Sequence, residues 1–315
     1  MSALAIAADL GGSHLTCALL REREIIASRS IETTNEPFSG VLKRLEAEIQ
    51  TLLVSAQATS EDCLGLAMGF CGIVDPDNDT VIATNGKFAG AEGFDFRGWA
   101  RRALGLRLRM ENDARLALLG EHFHGAARNY SDVVMITLGT GIGGVAMLDG
   151  KLLRSRNGRA GVIGGHLPVV MNGRRCTCGN LGCAEAEAST WSLPMICREW
   201  PGFAESSLAR VTPLDFQNLF VTADAGDPVA RQVLDHCLQV WSTLTVSLIH
   251  AYGPQVVVFG GQVLRRAPEI LPRIREHVER YAWIPKGSVV IVEAELSSNA
   301  ALYGALPLLS EPGQR

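Results

Sequence analysis

The sequence predicts an α/β protein built as two related lobes with mixed sheets, and three observations carry that expectation. A strand, a glycine turn and a second strand appear at residues 4–20 and return at residues 133–148. Each unit is followed by helix-patterned segments and further buried strands, as an internal duplication would give. No Pro/Ser-rich linker or low-complexity stretch separates the halves, so the lobes are expected to face each other across a cleft. The boundary is placed at residues 112–114. The first lobe is then 1–113, rejoined by a last helix at about 298–315, and the second is 114–297 with a cysteine-rich loop.

The elements follow from apolar spacing and turn chemistry. Leu4–Leu10 and residues 14–20 read as strands joined through Gly11-Gly12-Ser13, and residues 24–31 as a third. Phe38, Val41, Leu42, Leu45, Ile49, Leu52 and Leu53 recur at helical spacing, which predicts an amphipathic helix. Residues 64–70 form a buried strand, 97–104 a helix, 106–110 an extended run and 114–123 a helix. In the second half, Val133–Leu138 is a strand, 139–144 a glycine loop and 145–148 a strand. Asp227-Pro228 opens a long helix, since Asp caps an N-terminus and Pro suits the first helical position. Strands at 255–259 and 289–292 and helices at 268–281 and 300–309 complete the pattern.

Composition narrows the function classes. The chain has 315 residues, 47% apolar and 20% charged, with a formal net charge of -4. That fits a globular protein with a sizeable core and lacks the basic balance of a nucleic-acid binder. The start is apolar but has no basic flank, and Asp9 interrupts it, so no secretion signal is expected. Residues 238–264 carry no formal charge. Gly253-Pro254 and His250 break that run, which reads as a buried helix and strand rather than a membrane span. Of eight cysteines, three crowd into residues 176–183. Clustering points to metal in a reducing, cytoplasmic setting rather than to a secreted disulfide scaffold.

Six segments could carry chemistry. Asp9-Leu10-Gly11-Gly12-Ser13 can cradle phosphate with backbone N–H groups and hold Mg2+ at the Asp, or be an ordinary tight hairpin. Gly139-Thr140-Gly141-Ile142-Gly143-Gly144 matches a dinucleotide fingerprint formally. Strand rather than helix follows it, so a phosphate-cradling turn between strands is the better reading. Glu111-Asn112-Asp113 offers a general base or a helix cap. His166, Cys176, Cys178 and Cys183 have the spacing H-x9-C-x-C-x4-C, which suits closed, structural, tetrahedral zinc. A disulfide within Cys-x-Cys is awkward. Glu185 follows the last cysteine by two residues and is either held toward a sugar hydroxyl or simply exposed. Gly260-Gly261 ends a strand and can admit an adenine ring or turn the chain.

In this order the segments resemble the ROK family (repressor, open reading frame, kinase). The likeness takes in Asp9–Ser13, Gly69-Phe70-Cys71-Gly72-Ile73-Val74-Asp75, Glu111-Asn112-Asp113, residues 138–144, the zinc cluster through Glu185, Gly226-Asp227-Pro228 and the strand and turn at residues 256–261. It implies an actin-like, ribonuclease-H-type ATPase fold. It implies transfer of the ATP γ-phosphate to a hexose hydroxyl, O6 in a glucokinase-like enzyme. Asp113 would be the catalytic base, and Gly72, Asn85, Asn112, His166 and Glu185 would contact the sugar. Asp9, Gly11, Gly12, Ser13, Thr140 and Gly141 would hold phosphate and Mg2+, and Gly260 and Gly261 the adenosine side. His166, Cys176, Cys178 and Cys183 would bind structural Zn2+. The expected partners are a small sugar and a second or further copies of the chain as a homodimer or homotetramer, with no nucleic acid and no membrane. Family regulators carry an added N-terminal DNA-binding domain. The first phosphate-loop strand here begins by Leu4, and none is expected.

The chain departs from the family at one place. Where the family has Ala-Gly-Glu-Ile-Gly-His, this sequence reads Ala160-Gly161-Val162-Ile163-Gly164-Gly165-His166. The run is one residue longer and lacks the Glu that accepts hydrogen bonds from the sugar. Each such bond to a charged acceptor is worth about 1.5–3 kcal/mol, so the choice of sugar is open. A catalytically weak sugar-binding protein is the alternative to an active kinase. Cys71 also stands where proline is usual.

Overall fold

The first sheet orders its strands so that three carboxyl ends lie side by side. The computed structural model describes residues 4–311 apart from Ser13, Thr34, Asn35, Asn85, Lys87, Asn157 and Lys286. The strands β1 (Leu4–Leu10), β2 (His14–Arg21) and β3 (Glu24–Glu32) form an antiparallel meander. After α1 (Phe38–Ser55) comes β4 (Cys63–Phe70), and a hairpin of β5 (Ile73–Asp75) and β6 (Thr80–Ala83). The short α2 (Phe96–Trp99), β7 (Leu108–Asn112) and α3 (Asp113–His124) follow. The sheet order is β3-β2-β1-β4-β7, with β1, β4 and β7 mutually parallel. Their register aligns Asp9 with Gly69 and Gly69 with Glu111.

Burial explains why each strand sits where it does. In β1 six of seven residues are buried, as expected of a parallel strand covered on both faces. The edge strand β3 is largely exposed and polar, which blunts an open edge. The apolar stripe of α1 is buried in full, and the helix packs against β2. Phe38, Phe94 and Phe96 meet edge to face, with centroids 4.9–5.7 Å apart. The helix expected at 97–104 is α2 extended by a π-helical turn over residues 100–104, closed by Gly105 in the left-handed region.

The second sheet repeats the plan. It contains β8 (Val133–Leu138), β9 (Ile142–Leu148), β10 (Lys151–Leu152), β11 (Val256–Gly260) and β12 (Val290–Glu293). Its order is β10-β9-β8-β11-β12, again an antiparallel hairpin followed by parallel strands. The glycine loop is shorter than expected. Gly143 and Gly144 already pair with Thr137 and Ile136 in β9, so only residues 139–141 turn, closed by Gly139 N donating to Gly141 O at 3.0 Å. Helices α4 (Ala184–Ala188), α5 (Leu193–Glu199), α6 (Phe216–Asp224), α7 (Pro228–Tyr252) and α8 (Ala267–Tyr281) cover this sheet. Trp241 of α7 is fully buried, donates to Ala188 O at 3.0 Å and lies against Phe216.

The C-terminal α9 (Ala300–Tyr303) and α10 (Ala305–Ser310) pack on α3 and β4. The chain accordingly forms two units, Met1–Tyr130 with Leu152–Val162 and Glu295–Arg315, and Ser131–Lys151 with Ile163–Ala294. The change of unit falls after Tyr130 rather than at residues 112–114, because α3 is held by α9 and α10. No helix among the described residues is long and apolar enough to cross a membrane.

The start of α7 is fastened by one side chain. Asp227 accepts from Val229 N at 3.0 Å, Ala230 N at 2.9 Å and Ser206 Oγ at 2.8 Å. Burial opposes its charge, but the bonds from Ala230 N, Ser207 and Ser206 outweigh it and hold the carboxyl well below its ordinary range. Asp227→Ala is expected to cost about 1–2 kcal/mol by denaturant titration. A depressed carboxyl stabilises fully above its unfolded pKa. The deficit should therefore be complete above about pH 5 and shrink on acidification below it.

Candidate active site

Two carboxylates meet at the carboxyl ends of β1 and β7. Gly69 of β4 lies between them. A Cβ there would sit 3.2 Å from Asp9 Oδ1 and 3.5 Å from Asp113 Cα, so no side chain fits comfortably. Asp9 Oδ1 is buried with no hydrogen-bond partner among the described residues. Burial first, and the Asp113 charge second, push the Asp9 carboxyl up to about 7. An orphaned oxygen beside a second carboxylate suits a hard divalent cation, which would restore its ionised form. Gly11 N donates to His14 O at 3.0 Å and Gly12 is exposed. Ser13 lies outside the described residues.

Asp113 is the first residue of α3, and Asn112 is its cap. Asn112 Oδ1 accepts from Arg115 N at 3.2 Å, while its Nδ2 donates to Gly72 O at 3.0 Å and Asp113 Oδ1 at 2.9 Å. Ala114 N donates to the same Asp113 oxygen at 2.8 Å. The cap and the candidate base are thus one arrangement. A helix N-terminus favours the anionic carboxylate. Asn85 lies outside the described residues.

Glu111 underlies this pair, and its partners are not legible in the sequence. Its side chain is 0% exposed and faces Arg115, also 0% exposed, at 3.3 Å. Arg154 Nε donates to it at 2.8 Å, and Arg154 Nη1 reaches Glu311 at 3.1 Å. Arg115 also donates to the carbonyls of Leu153 and Ala160. The segment leading into the altered run is therefore bound to α3 through a buried cation. Within that run Ile163 is exposed, at the position three before His166.

In the second unit, the glycine turn is supported from behind. Thr190 N donates to Gly139 O and Trp191 N to Thr140 O, each at 3.1 Å. Glu185 at the start of α4 accepts from Ile142 N at 3.0 Å and from Trp191 Nε1 at 3.3 Å. The residue expected at the sugar therefore also fixes the end of this loop. Gly261 has φ +96°, and a Cβ there would collide with the Leu138 carbonyl, so only glycine serves. Beside it opens a cavity of about 490 Å³, lined by Phe216, Phe220, Gln262 and Val263. Sequence periodicity missed it because α6 is short and flanked by irregular chain.

One ligand atom each of His166, Cys176, Cys178 and Cys183 lies within 4.8 Å of the others. Cys176 Sγ is 3.4 Å from His166 Nδ1, and Cys178 Sγ is 3.7 Å from Cys183 Sγ. Cys176 N donates to Asn180 O at 2.8 Å and Gly179 N to Cys176 O at 2.9 Å, folding the loop upon itself. Three sulfurs and one imidazole are the donor set of a closed zinc site.

The ROK family model matches residues 5–311. The chain is 29% identical over 318 residues to a glucokinase of Thermotoga maritima, covering 97% of each. It is 30% identical over 286 residues to a glucokinase of Halalkalibacterium halodurans, covering 88% of this chain and 86% of that one. A glucokinase of Streptomyces griseus, solved with glucose and AMPPNP, superposes with a TM-score of 0.77 at 26% identity, covering 97% and 98%.

Removing one member of a buried ion pair strands the others. Glu111→Gln is expected to cost about 3–5 kcal/mol in denaturant unfolding. Arg154→Gln, at a site 24% exposed, should cost distinctly less. Equal small losses would contradict the role given to Glu111.

Proposed function

The chain belongs to the ROK family, and we propose that Asp113 is the general base with which it phosphorylates its sugar. It is an ATP-dependent hexose kinase of actin-like fold, like the glucokinases it matches almost end to end. The observation that carries the assignment of the base is its setting. Asp113 stands at the end of a parallel strand and the start of a helix, with Oδ1 fixed by Asn112 Nδ2 and Ala114 N.

Asp113 takes the proton from the attacking sugar hydroxyl, O6 in a glucose-type substrate. Asn112, joined to Gly72 O, orients that hydroxyl, and His166 and Glu185 contribute to the sugar site. The backbone N–H groups around Gly11, Gly12, Thr140 and Gly141 hold phosphate oxygens, and the cavity beside Gly260-Gly261 takes the adenosine. Mg2+ held at Asp9 would neutralise phosphate charge, the main electrostatic demand of phosphoryl transfer. Zinc on His166, Cys176, Cys178 and Cys183 serves structure, fastening the loop between His166 and α4. With Nδ1 facing the sulfurs, the other ring nitrogen is left for the substrate. The gathering of Cys176, Cys178 and Cys183 with His166 rather than into disulfides across the chain supports a reducing, cytoplasmic compartment.

Asp113→Asn is expected to lower kcat roughly 10²–10⁴-fold while KM for the sugar changes only a few-fold. Retention of more than a tenth of wild-type kcat would remove Asp113 from this role. Metal analysis should find about one zinc per chain, and none in Cys176→Ser/Cys178→Ser protein.

A further inference from the structure

A second cavity lies at the opposite end of β7 from Asp113. It measures about 420 Å³ and its wall includes Arg97, Arg101, Arg107 and Arg109 against Asp77 and Asp79. That volume is within the range of small-molecule sites rather than of a bare ion. The charges do not balance, since four guanidinium groups face two carboxylates. Asp79 is already used. Its side chain is 0% exposed, one oxygen accepts from Met110 N at 2.7 Å, and the other from Arg97 Nε at 2.6 Å.

Arg109 is left short of partners although it is 9% exposed. Its contacts are all long: 3.7 Å to Asp79, 3.5 Å to the Glu311 carbonyl and 3.9 Å to the Glu311 carboxylate. The side chains of Arg101 and Arg107 are exposed and have no ion-pair or hydrogen-bond partner among the described residues. A buried guanidinium without a short hydrogen bond is a standing cost. Two free guanidinium groups beside it make the wall an anion receptor.

We propose that this cavity binds a phosphate monoester. Three separate guanidinium groups suit an oxyanion with three acceptor oxygens better than a planar carboxylate with two. The surplus of two positive charges matches a dianion. The remaining volume takes an organic body, and Asp77 in the wall accepts from its hydroxyls. A sugar phosphate has that chemistry. The site itself does not depend on the kinase reading, because it is measured as binding without turnover.

The test is calorimetric titration of the full chain, with AMPPNP present, by glucose 6-phosphate and separately by inorganic phosphate. The variant is Arg101→Ala/Arg107→Ala, at two exposed positions outside the catalytic machinery. Glucose 6-phosphate should bind the wild type at least tenfold more tightly than the variant, the loss expected from removing a charge-assisted contact. AMPPNP affinity should be equal in both. Equal binding by both proteins, or none by the wild type at millimolar ligand, overturns the proposal. Inorganic phosphate binding as tightly as glucose 6-phosphate overturns the monoester assignment.

Discussion

Everything chemical in the first unit depends on bringing two carboxylates together at the ends of parallel strands. β1 ends in Asp9 and β7 leads into Asp113, with β4 between them. The strand between must be bare where they approach, and Gly69 meets that need. Burial first, and the Asp113 charge second, raise the Asp9 carboxyl to about 7. A divalent cation at this carboxylate would favour its ionised form. The helix that begins at Asp113 then stabilises one of the two as an anion.

Beneath the pair, the molecule buries a full charge network. Glu111 is enclosed by Arg115 and Arg154, and Arg154 continues to Glu311. Such networks are seldom a net source of stability, since desolvation offsets attraction. Their use here is geometric. Arg115 belongs to the helix that carries Asp113, and it grips the carbonyls of Leu153 and Ala160. The segment that precedes the altered run is thereby tied to the helix that begins at Asp113. At the run itself Ile163 is exposed.

Much of the architecture was legible because it is written in periodicity. The stripe of α1, the cap of α7 at Asp227 and the first strand–turn–strand unit appear as read, and the second appears with a shorter turn. The gathering of His166, Cys176, Cys178 and Cys183 was legible from spacing, since one short loop carries three of them. Other features were not. The division after Tyr130 depends on α9 and α10 packing on α3, a contact between residues distant in sequence. Arg115 reads as an ordinary helix-surface cation until the fold places Glu111 and two carbonyls around it. The hold of Glu185 on the glycine turn was hidden for the same reason, because Ile142 N comes from another element. The arginine cavity is likewise assembled from residues 76–109 by folding.

The central claim is that this arrangement transfers phosphate to a hexose. Its most direct test is coupled ADP release by zinc-loaded, folded protein with ATP, Mg2+ and a panel of hexoses and N-acetylhexosamines. Saturable turnover is expected with at least one sugar, and no ADP release above background without it. Absence of turnover across the panel would contradict it, leaving a sugar-binding protein that keeps the kinase fold without its chemistry.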